Sequence, residues 1–225
     1  MTRGTPRAWA VQVLGLVAGY ADAAAYLGLG HVFAANMTGN TVLLGIDVVS
    51  WATGRRLVNA PPLPVASLFA FALGTLGAAL VLRAVAWRTG YRLGLLLEAV
   101  LLFGVAAGWT VAGARPGLYP ALALLVVLSA AMGAQSAVAQ RVGVPGVPTT
   151  VVTSSMVTAI VRTVSGQRPV APAVAWAAYL VGGAAGAVGT ELLGAEVGWI
   201  PPVVLAVLAA TSTETDSDTA TRPAR

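Results

Sequence analysis

The 225-residue sequence contains no cysteine and no lysine, and its single histidine is His31. Without cysteine the chain has no disulfide bonds and no thiol chemistry, and a single histidine excludes a histidine-based metal cluster. Charged residues make up only 9% of the chain, whereas a soluble domain carries about 25%. Since 57% of the residues are hydrophobic and the mean hydropathy is +0.82, polar groups are too few to cover a core of this size. The sequence therefore indicates an integral membrane protein.

The sequence also lacks a cluster of basic residues and any familiar catalytic motif, and each absence argues against a class of function. All 13 basic residues are arginines, and they are scattered at the ends of apolar runs without forming a block or a stripe. We therefore expect no nucleic-acid partner. The sequence also lacks the motif H-E-x-x-H, the motif G-x-S-x-G, a P-loop and a dinucleotide fingerprint. We expect neither an enzyme nor a bound cofactor.

Apolar runs predict an all-α membrane bundle, because about 20 continuous apolar residues cross a bilayer as a helix. Five runs reach about this length, and a sixth is shorter and contains Pro201 and Pro202. Two more runs, at 36–51 and 149–163, are too short to cross and predict broken or re-entrant helices. The six expected transmembrane helices fall at 8–30, 65–82, 93–114, 117–139, 170–190 and 197–210.

The two halves of the chain repeat a pattern of residues. Asp22 aligns with Ser136, "MTGN" at 37–40 aligns with "VTSS" at 152–155, and a glycine in the next long run aligns in each half, Gly74 with Gly182. These matches come in the same order around the same long–short–long pattern, which indicates an internal duplication. If the short runs do not cross the membrane, the second copy is inverted relative to the first.

The distribution of arginines favours re-entrant short runs and cytoplasmic termini. With that topology eight arginines before the tail lie inside and three outside, whereas crossing short runs give seven inside and four outside. We therefore expect an inverted internal repeat within one transmembrane domain at 1–210, with halves at about 8–114 and 117–210. Residues 211–225 are polar and without periodicity, which predicts a disordered tail.

A candidate solute site begins in the stretch "AANMTGNT". A short helix that starts at membrane depth exposes free N–H groups and the positive end of its dipole. Thr38, Gly39 and Asn40 suit such a start, because hydroxyl and amide groups cap it and glycine allows close approach. Asn36, Asn40 and Asp47 share one helix face. We interpret Asn36, Thr38, Gly39 and Asn40 as candidate substrate-binding residues.

Thr153, Ser154 and Ser155 stand at the corresponding place in the second copy and complete the candidate site. An inverted repeat would bring the two helix starts together at mid-membrane, a design that several transporter folds use. Converging positive ends favour an anion or a strongly polar solute. Alternatively, both segments are ordinary interfacial loops with capped helices.

Asp22 lies inside the first span, where an acidic side chain costs about 2.5–3.5 kcal/mol on insertion scales. It either serves the solute site or makes a packing hydrogen bond, and the same two roles stay open for Gln135 and Ser136 in the second copy. Glu98 lies six residues into its run, near the arginines of 83–92. We expect an interfacial salt link there.

The stretch "AGYADAAAYLGLGHVFAANMTGNTVLLG" at 18–45, together with "MGAQSA" and "TTVVTSS" in the second half, resembles the YoaK-like family of bacterial multi-pass membrane proteins, whose function is unknown. The resemblance covers about residues 8–210. It weakens in the second half, where Ser136 stands in place of a usual Asn and Ser154 in place of a usual Gly. It implies a protein of roughly six spans in the bacterial inner (plasma) membrane, and it supplies no substrate.

Two functions remain open from the sequence. The favoured one is a transporter or channel for a small polar or anionic solute, which predicts solvent-accessible polar groups around 22, 38–40 and 153–155. The alternative is a non-transporting membrane scaffold or partner subunit that assembles through glycine-rich faces and has a dry, closed centre. The lipid bilayer is the expected surrounding in both cases, and the sequence leaves a homo-oligomer open.

Overall fold

A computed structural model describes residues 6–55, 62–85, 87–142 and 152–211, and these residues form helices and connecting turns without a strand. A 3-10 helix at Gly194–Trp199 connects the last two α-helices. The α-helices are α1 (Pro6–Gly28), α2 (Met37–Ala52), α3 (Pro62–Ala84), α4 (Trp87–Ala112), α5 (Leu118–Val142), α6 (Val152–Val164), α7 (Val170–Leu193) and α8 (Ile200–Thr211).

The helices form a membrane bundle, as the sequence predicts. Five helical segments of the described residues are long and apolar enough to cross a membrane, and the fifth includes α7, the 3-10 helix and α8. The predicted sixth span is therefore continuous with the fifth segment, and α8 itself measures only about 18 Å at 1.5 Å per residue. Of the predicted tail, Thr211 ends α8, and 212–225 lie outside the described residues.

Glycines allow two pairs of helices to cross with their backbones in contact. In the α1–α7 pair, a Cβ atom at Gly19 would overlap the carbonyl oxygen of Tyr179, and one at Gly182 would overlap that of Leu16. Near the starts of both helices, the side chain of Gln12 donates a hydrogen bond to the carbonyl oxygen of Ala171. The contact of Gly19 with Tyr179 lies further along both helices, so the contacts advance in the same direction. The two helices are therefore parallel and packed too closely for any side chain at these glycines.

The α3–α5 pair crosses in the same manner. A Cβ atom at Gly74 would overlap the carbonyl oxygen of Ala130, and one at Gly133 would overlap that of Phe71. The hydroxyl of Thr75 donates a hydrogen bond of 3.1 Å to the carbonyl oxygen of Gly133. These two helices are parallel as well, because the contacts advance together from Ser67 with Ser129 to Leu82 with Ala137 and Val138.

Helix α4 runs antiparallel to α5. A Cβ atom at Gly94 would lie 2.6 Å from Val138, and one at Gly108 would lie 3.0 Å from Leu124. Between these two contacts both helices advance by 14 residues, in opposite directions. The contacts therefore fix the register of α4 against α5 along most of their length.

The end of α1 and the start of α3, which flank α2 in the sequence, lie on the same side of the bundle. Gly30 follows the end of α1, and a Cβ atom there would lie 2.6 Å from Leu63 at the start of α3. Because α3 begins where α1 ends, the segment between them makes no net crossing. Helices α2 and α6 measure about 24 Å and 20 Å, both short of the roughly 30 Å hydrocarbon core.

The core lies between α1, α4, α5 and α8. Leu14, Leu102, Leu125 and Trp109 are fully buried there. Helix α3, by contrast, leaves Phe69, Leu73, Leu76 and Leu80 exposed on its outer face, as expected of a helix in contact with lipid.

Candidate functional site

The carboxylate of Asp22 binds the loop before α2. Its Oδ1 accepts hydrogen bonds from the backbone N–H groups of Ala34 at 2.8 Å, Ala35 at 2.6 Å and Asn36 at 3.2 Å. Its Oδ2 accepts a hydrogen bond from the hydroxyl of Tyr179 on α7. The side chain is only 3% exposed. A carboxylate of the protein itself thus occupies the group of N–H donors that an anion would use.

The start of α2 is capped from within the same stretch. Asn36 Oδ1 accepts a hydrogen bond of 3.1 Å from the N–H of Gly39, which is the usual geometry of an N-cap residue. A Cβ atom at Gly39 would lie 2.8 Å from the ring of Phe33. Gly39 therefore lets the loop pack on the first turn of α2, while the side chain of Thr38 is exposed.

Asn40 fixes the loop to α3. Its side chain is fully buried, accepts a hydrogen bond of 2.9 Å from the N–H of Phe33 and donates to the carbonyl oxygen of Phe33 at 2.8 Å. It also donates to the hydroxyl of Ser67 at 2.9 Å, and that hydroxyl lies 2.9 Å from the hydroxyl of Ser129 on α5. Asn40 and Asp47 are both buried on α2, which agrees with the shared face predicted from the sequence.

These contacts correct one expectation of the transport interpretation. Asp22 and Asn40 are closed off from solvent, and every partner named for them is a group of the protein. Asp22, Asn40 and the backbone of residues 33–36 form an internal network that connects α1, the loop, α3, α5 and α7.

The second copy carries a weaker version of this network. Ser136 is buried, and its hydroxyl donates only to the carbonyl oxygen of Met132 on its own helix, at 2.8 Å. Thr153 is exposed, Ser154 is half-buried, and Ser155 is buried with a hydroxyl that has no hydrogen-bond partner among the described residues. Helix α6 packs on α7, and α2 packs on α3. That the starts of α2 and α6 lie close together stays a prediction.

Glu98 lies in the interior of the bundle and not at the interface that the sequence suggested. It is only 1% exposed, and its Oε1 has no hydrogen-bond partner in the part of the chain that the structure describes. Helix α4 begins at Trp87, six residues before the apolar run does. Glu98 is therefore near the middle of the helix, which explains why the predicted interfacial salt link was wrong.

Gln135 on α5 is a second buried residue with an unsatisfied oxygen. It is 1% exposed, its amide nitrogen donates a hydrogen bond of 2.9 Å to the carbonyl oxygen of Leu14 on α1, and its Oε1 has no partner among the described residues. The α4–α5 register places Glu98 at the level of Ala134 and hence at nearly the depth of Gln135. The two residues therefore share a depth near the middle of the membrane-spanning helices.

Both residues lie on helices that meet at the junction of α1, α4 and α5. A cavity of about 20 Å³ at this junction is lined on α4 by Leu102 and Val105, and on α5 by Leu128. Glu98 precedes Leu102 by four residues, and Gln135 follows Leu128 by seven, so each shares a helix face with the cavity. Glu98 and Gln135, at nearly one depth, thus form a polar layer about one to two helical turns from this apolar cavity.

The sequence identified Gln135 as a candidate and did not identify Glu98. A usable signal was present, since Leu95, Glu98, Leu102 and Val105 recur at helical spacing and are all buried. A helix predicted to begin several residues before the apolar run would have placed Glu98 near the middle of α4, on its buried face. Among the described residues no group of three or more His, Cys, Asp or Glu side chains could hold a metal ion.

Comparisons with known proteins agree with the resemblance. The sequence profile of a family described as "Protein of unknown function (DUF1275)" matches residues 10–211. The chain is 33% identical over 159 residues to the "UPF0700 transmembrane protein YoaK" of Bacillus subtilis (strain 168), which covers 69% of this chain and 67% of that protein. No solved structure matches the chain.

Proposed function

The chain belongs to the DUF1275 family of membrane proteins, and we propose that it moves a small polar solute across the membrane through the junction of α1, α4 and α5. The observation that carries this proposal is the pair of unsatisfied oxygens on Glu98 and Gln135. A buried polar group without a partner costs about 1–3 kcal/mol, and an acidic residue within a spanning helix is by default a functional candidate.

Asp22 differs from Glu98 in how well its carboxylate is satisfied. Asp22 is also an acidic residue inside a spanning helix, but its carboxylate has four hydrogen-bond donors around it. Its place in the membrane is therefore explained by the fold. Glu98 has an oxygen that no described group satisfies, so a structural role accounts for it less well.

The pairing of the helices supports a transporter architecture. Gly19 and Gly133 are separated by the same 114 residues as Asp22 and Ser136, and they contact Tyr179 and Phe71, which are separated by the same 108 residues as Gly74 and Gly182. The two crossings, α1 with α7 and α3 with α5, point in opposite directions. We infer an inverted repeat, and in transporters with such repeats the solute site lies near the bilayer midplane between the copies.

The position of Gln135 fits that expectation. Its hydrogen bond to Leu14 joins α5 to α1, which are the first helices of the two halves. The polar layer therefore lies between the halves and near mid-depth. As part of the same proposal, the protein lies in the bacterial inner membrane with the start of α1 and the end of α8 at the cytoplasmic face, as the arginine distribution favours.

The scaffold alternative has lost part of its basis. A scaffold would need glycine-rich faces that a partner subunit can reach, whereas Gly15, Gly19, Gly182 and Gly186 pack inside the α1–α7 crossing. They are therefore not free for a partner subunit.

Flux from proteoliposomes tests the proposal. Vesicles that contain the purified protein would be loaded with a mixture of amino acids, sugars, amines and small anions, and efflux would be measured by mass spectrometry. We expect at least one solute to leave faster than from protein-free vesicles, and Glu98→Gln to slow that efflux at least about tenfold. Glu191→Gln, at an exposed position near the end of α7, is the matched control and should leave efflux unchanged.

If no solute leaves faster than from protein-free vesicles, transport is contradicted and the scaffold function is favoured. If a solute leaves at the same rate with Glu98→Gln as with the unchanged protein, passage does not use the junction.

A further inference from the structure

We infer that the cavity at the junction of α1, α4 and α5 binds an uncharged, water-sized molecule, ammonia or water, through the indole N–H group of Trp109. This deepens the proposed function by naming the class of solute, and it rests on that function for the path through the membrane. The sequence alone favoured an anion or a strongly polar solute, whereas the lining of the cavity disfavours an ion.

Trp109 on α4 carries a buried hydrogen-bond donor without a partner. Its side chain is 1% exposed and lines the cavity, and its Nε1 has no acceptor among the described residues. The indole nitrogen can only donate a hydrogen bond, and a buried donor without an acceptor is destabilising. A ligand with a lone pair would satisfy this donor.

The edge of the indole ring that carries Nε1 faces the wall of the cavity that α1 forms. A Cβ atom at Gly28 would contact Cζ2 of the ring and lie 3.4 Å from Cε2, the atom to which Nε1 is bonded. Gly28 follows Ala24 by four residues and Ala21 by seven, so all three share one face of α1. Because Ala21 and Ala24 line the cavity, the N–H group lies on the side of the ring that faces this wall.

The lining of the cavity favours an uncharged occupant. Among the described residues that line it none is charged, and the only polar side chains are those of Tyr20 and Trp109. The hydroxyl of Tyr20 already donates a hydrogen bond of 3.0 Å to the carbonyl oxygen of Val197. An ion would lose far more hydration energy here than one N–H group could offset. A cation would in addition meet a donor where it needs an acceptor.

The volume of the cavity limits the size of the occupant. It measures about 20 Å³, which accommodates about one water-sized molecule. Ammonia and water both fit this limit, and both have a lone pair for the N–H group of Trp109. Ammonium would release its proton to the solution before it entered, because the cavity favours the neutral form. Sugars and amino acids exceed the limit.

The cavity follows the polar layer along one face of α4. At 100° per residue, Glu98, Leu102 and Trp109 lie within about 40° of one another, and all three are buried. They span about 17 Å along the helix axis. A solute that passes Glu98 would therefore reach the cavity and Trp109 along the same face.

Nuclear magnetic resonance of the full-length protein in lipid nanodiscs tests the binding site. Each of the six tryptophans gives one indole ¹H–¹⁵N signal, and Trp109→Phe assigns the signal of Trp109. If water is the occupant, we expect a nuclear Overhauser cross-peak between this N–H group and water. If ammonia is the occupant, we expect a saturable shift of the signal during titration with ammonium chloride at constant alkaline pH and ionic strength, with potassium chloride as the balancing salt. Trp199, whose Nε1 donates to Thr110 at 3.0 Å, is the internal control for the titration and should not shift.

Stopped-flow measurements add water and ammonia to the solutes of the flux assay. Proteoliposomes shrink under an osmotic gradient as water leaves, and their interior becomes alkaline after addition of an ammonium salt as ammonia enters. We expect one of these rates to exceed that of protein-free vesicles.

Two variants assign the excess rate to the cavity. Trp109→Phe keeps an aromatic ring and removes the donor, and it should reduce the excess about fivefold, the equivalent of one neutral hydrogen bond. Ala24→Val adds two methyl groups to the wall of the cavity and should reduce the excess at least about tenfold, because the space holds only one water-sized molecule. Trp199→Phe is the matched control and should leave the rate unchanged.

The inference is overturned if the N–H group of Trp109 neither contacts water nor responds to ammonia, or if both cavity variants keep the full excess rate. The two experiments separate this failure from that of the proposed function. A cross-peak or shift at Trp109 without flux of any solute would leave the binding site standing and contradict transport. Flux of another solute with no cross-peak and no shift at Trp109 would support transport and contradict this site.

Discussion

The hydroxyl of Tyr179 on α7 donates a hydrogen bond to the carboxylate of Asp22 on α1, across 157 residues of sequence. The other oxygen of the same carboxylate binds three consecutive N–H groups of the loop before α2. One side chain therefore holds together two spanning helices and the entry to a short helix. This gives Asp22 the packing role that the sequence left open beside a role in solute binding.

Replacing Asp22 should destabilise the protein strongly. Asp22→Ala leaves three buried N–H groups and one hydroxyl without their acceptor, and we expect a loss of about 3 kcal/mol or more in the free energy of unfolding. Ser136→Ala, at the equivalent position of the second copy, should cost about 1 kcal/mol or less, because that hydroxyl bonds only its own helix. Denaturant unfolding in detergent, followed by tryptophan fluorescence, measures both.

The same experiment can isolate the contact with Tyr179. Tyr179→Phe alone should cost about 1–2 kcal/mol. Combined with Asp22→Ala it should add little, because the hydroxyl has already lost its acceptor. Equal costs at positions 22 and 136, or full additivity of the Asp22 and Tyr179 changes, would contradict the network.

Alanine at the crossing glycines should disrupt helix packing. At Gly74 and Gly133 a methyl group would overlap a backbone carbonyl oxygen of the facing helix, and the helices cannot separate without losing other contacts. We expect each change to cost about 1–3 kcal/mol or more. Gly104→Ala is the control, since nothing lies within 4 Å of a Cβ atom there; it should be neutral or slightly stabilising. Thermal unfolding of the three variants would show equal Tm values if the close crossing were wrong.

The orientation of the helices can be tested with single cysteines, since the chain has none of its own. Arg115 lies between α4 and α5, and Gln167 lies between α6 and α7. The directions of α4, α5 and α7 place these two positions on opposite sides of the bundle. In intact cells we expect an impermeant thiol reagent to label Arg115→Cys from outside and to leave Gln167→Cys unlabelled.

Labelling of both positions to the same extent would contradict the directions of α4, α5 and α7. Labelling of Gln167→Cys alone would keep the bundle and reverse its orientation in the membrane. The arginine distribution predicts label at Arg115→Cys only.

The sequence by itself determined the membrane class, the long helices and the two short ones. These properties depend on composition and on the length of apolar runs, which are local. The N-cap role of the "AANMTGNT" stretch is local too, because Asn36 bonds Gly39 only three residues away. The sequence repeat also marked Gly74 and Gly182, which the bundle uses at its two close crossings.

Only the tertiary structure decided which polar residues satisfy one another. Asp22 and Tyr179 meet because α1 and α7 cross at glycines, and no local pattern indicates that pairing. Glu98 was misplaced because the apolar run at 93–114 begins inside α4, so its distance from the start of the run was not its depth in the helix. A buried polar atom is satisfied or left without a partner according to how helices pack, and helix packing is set by contacts between residues distant in sequence.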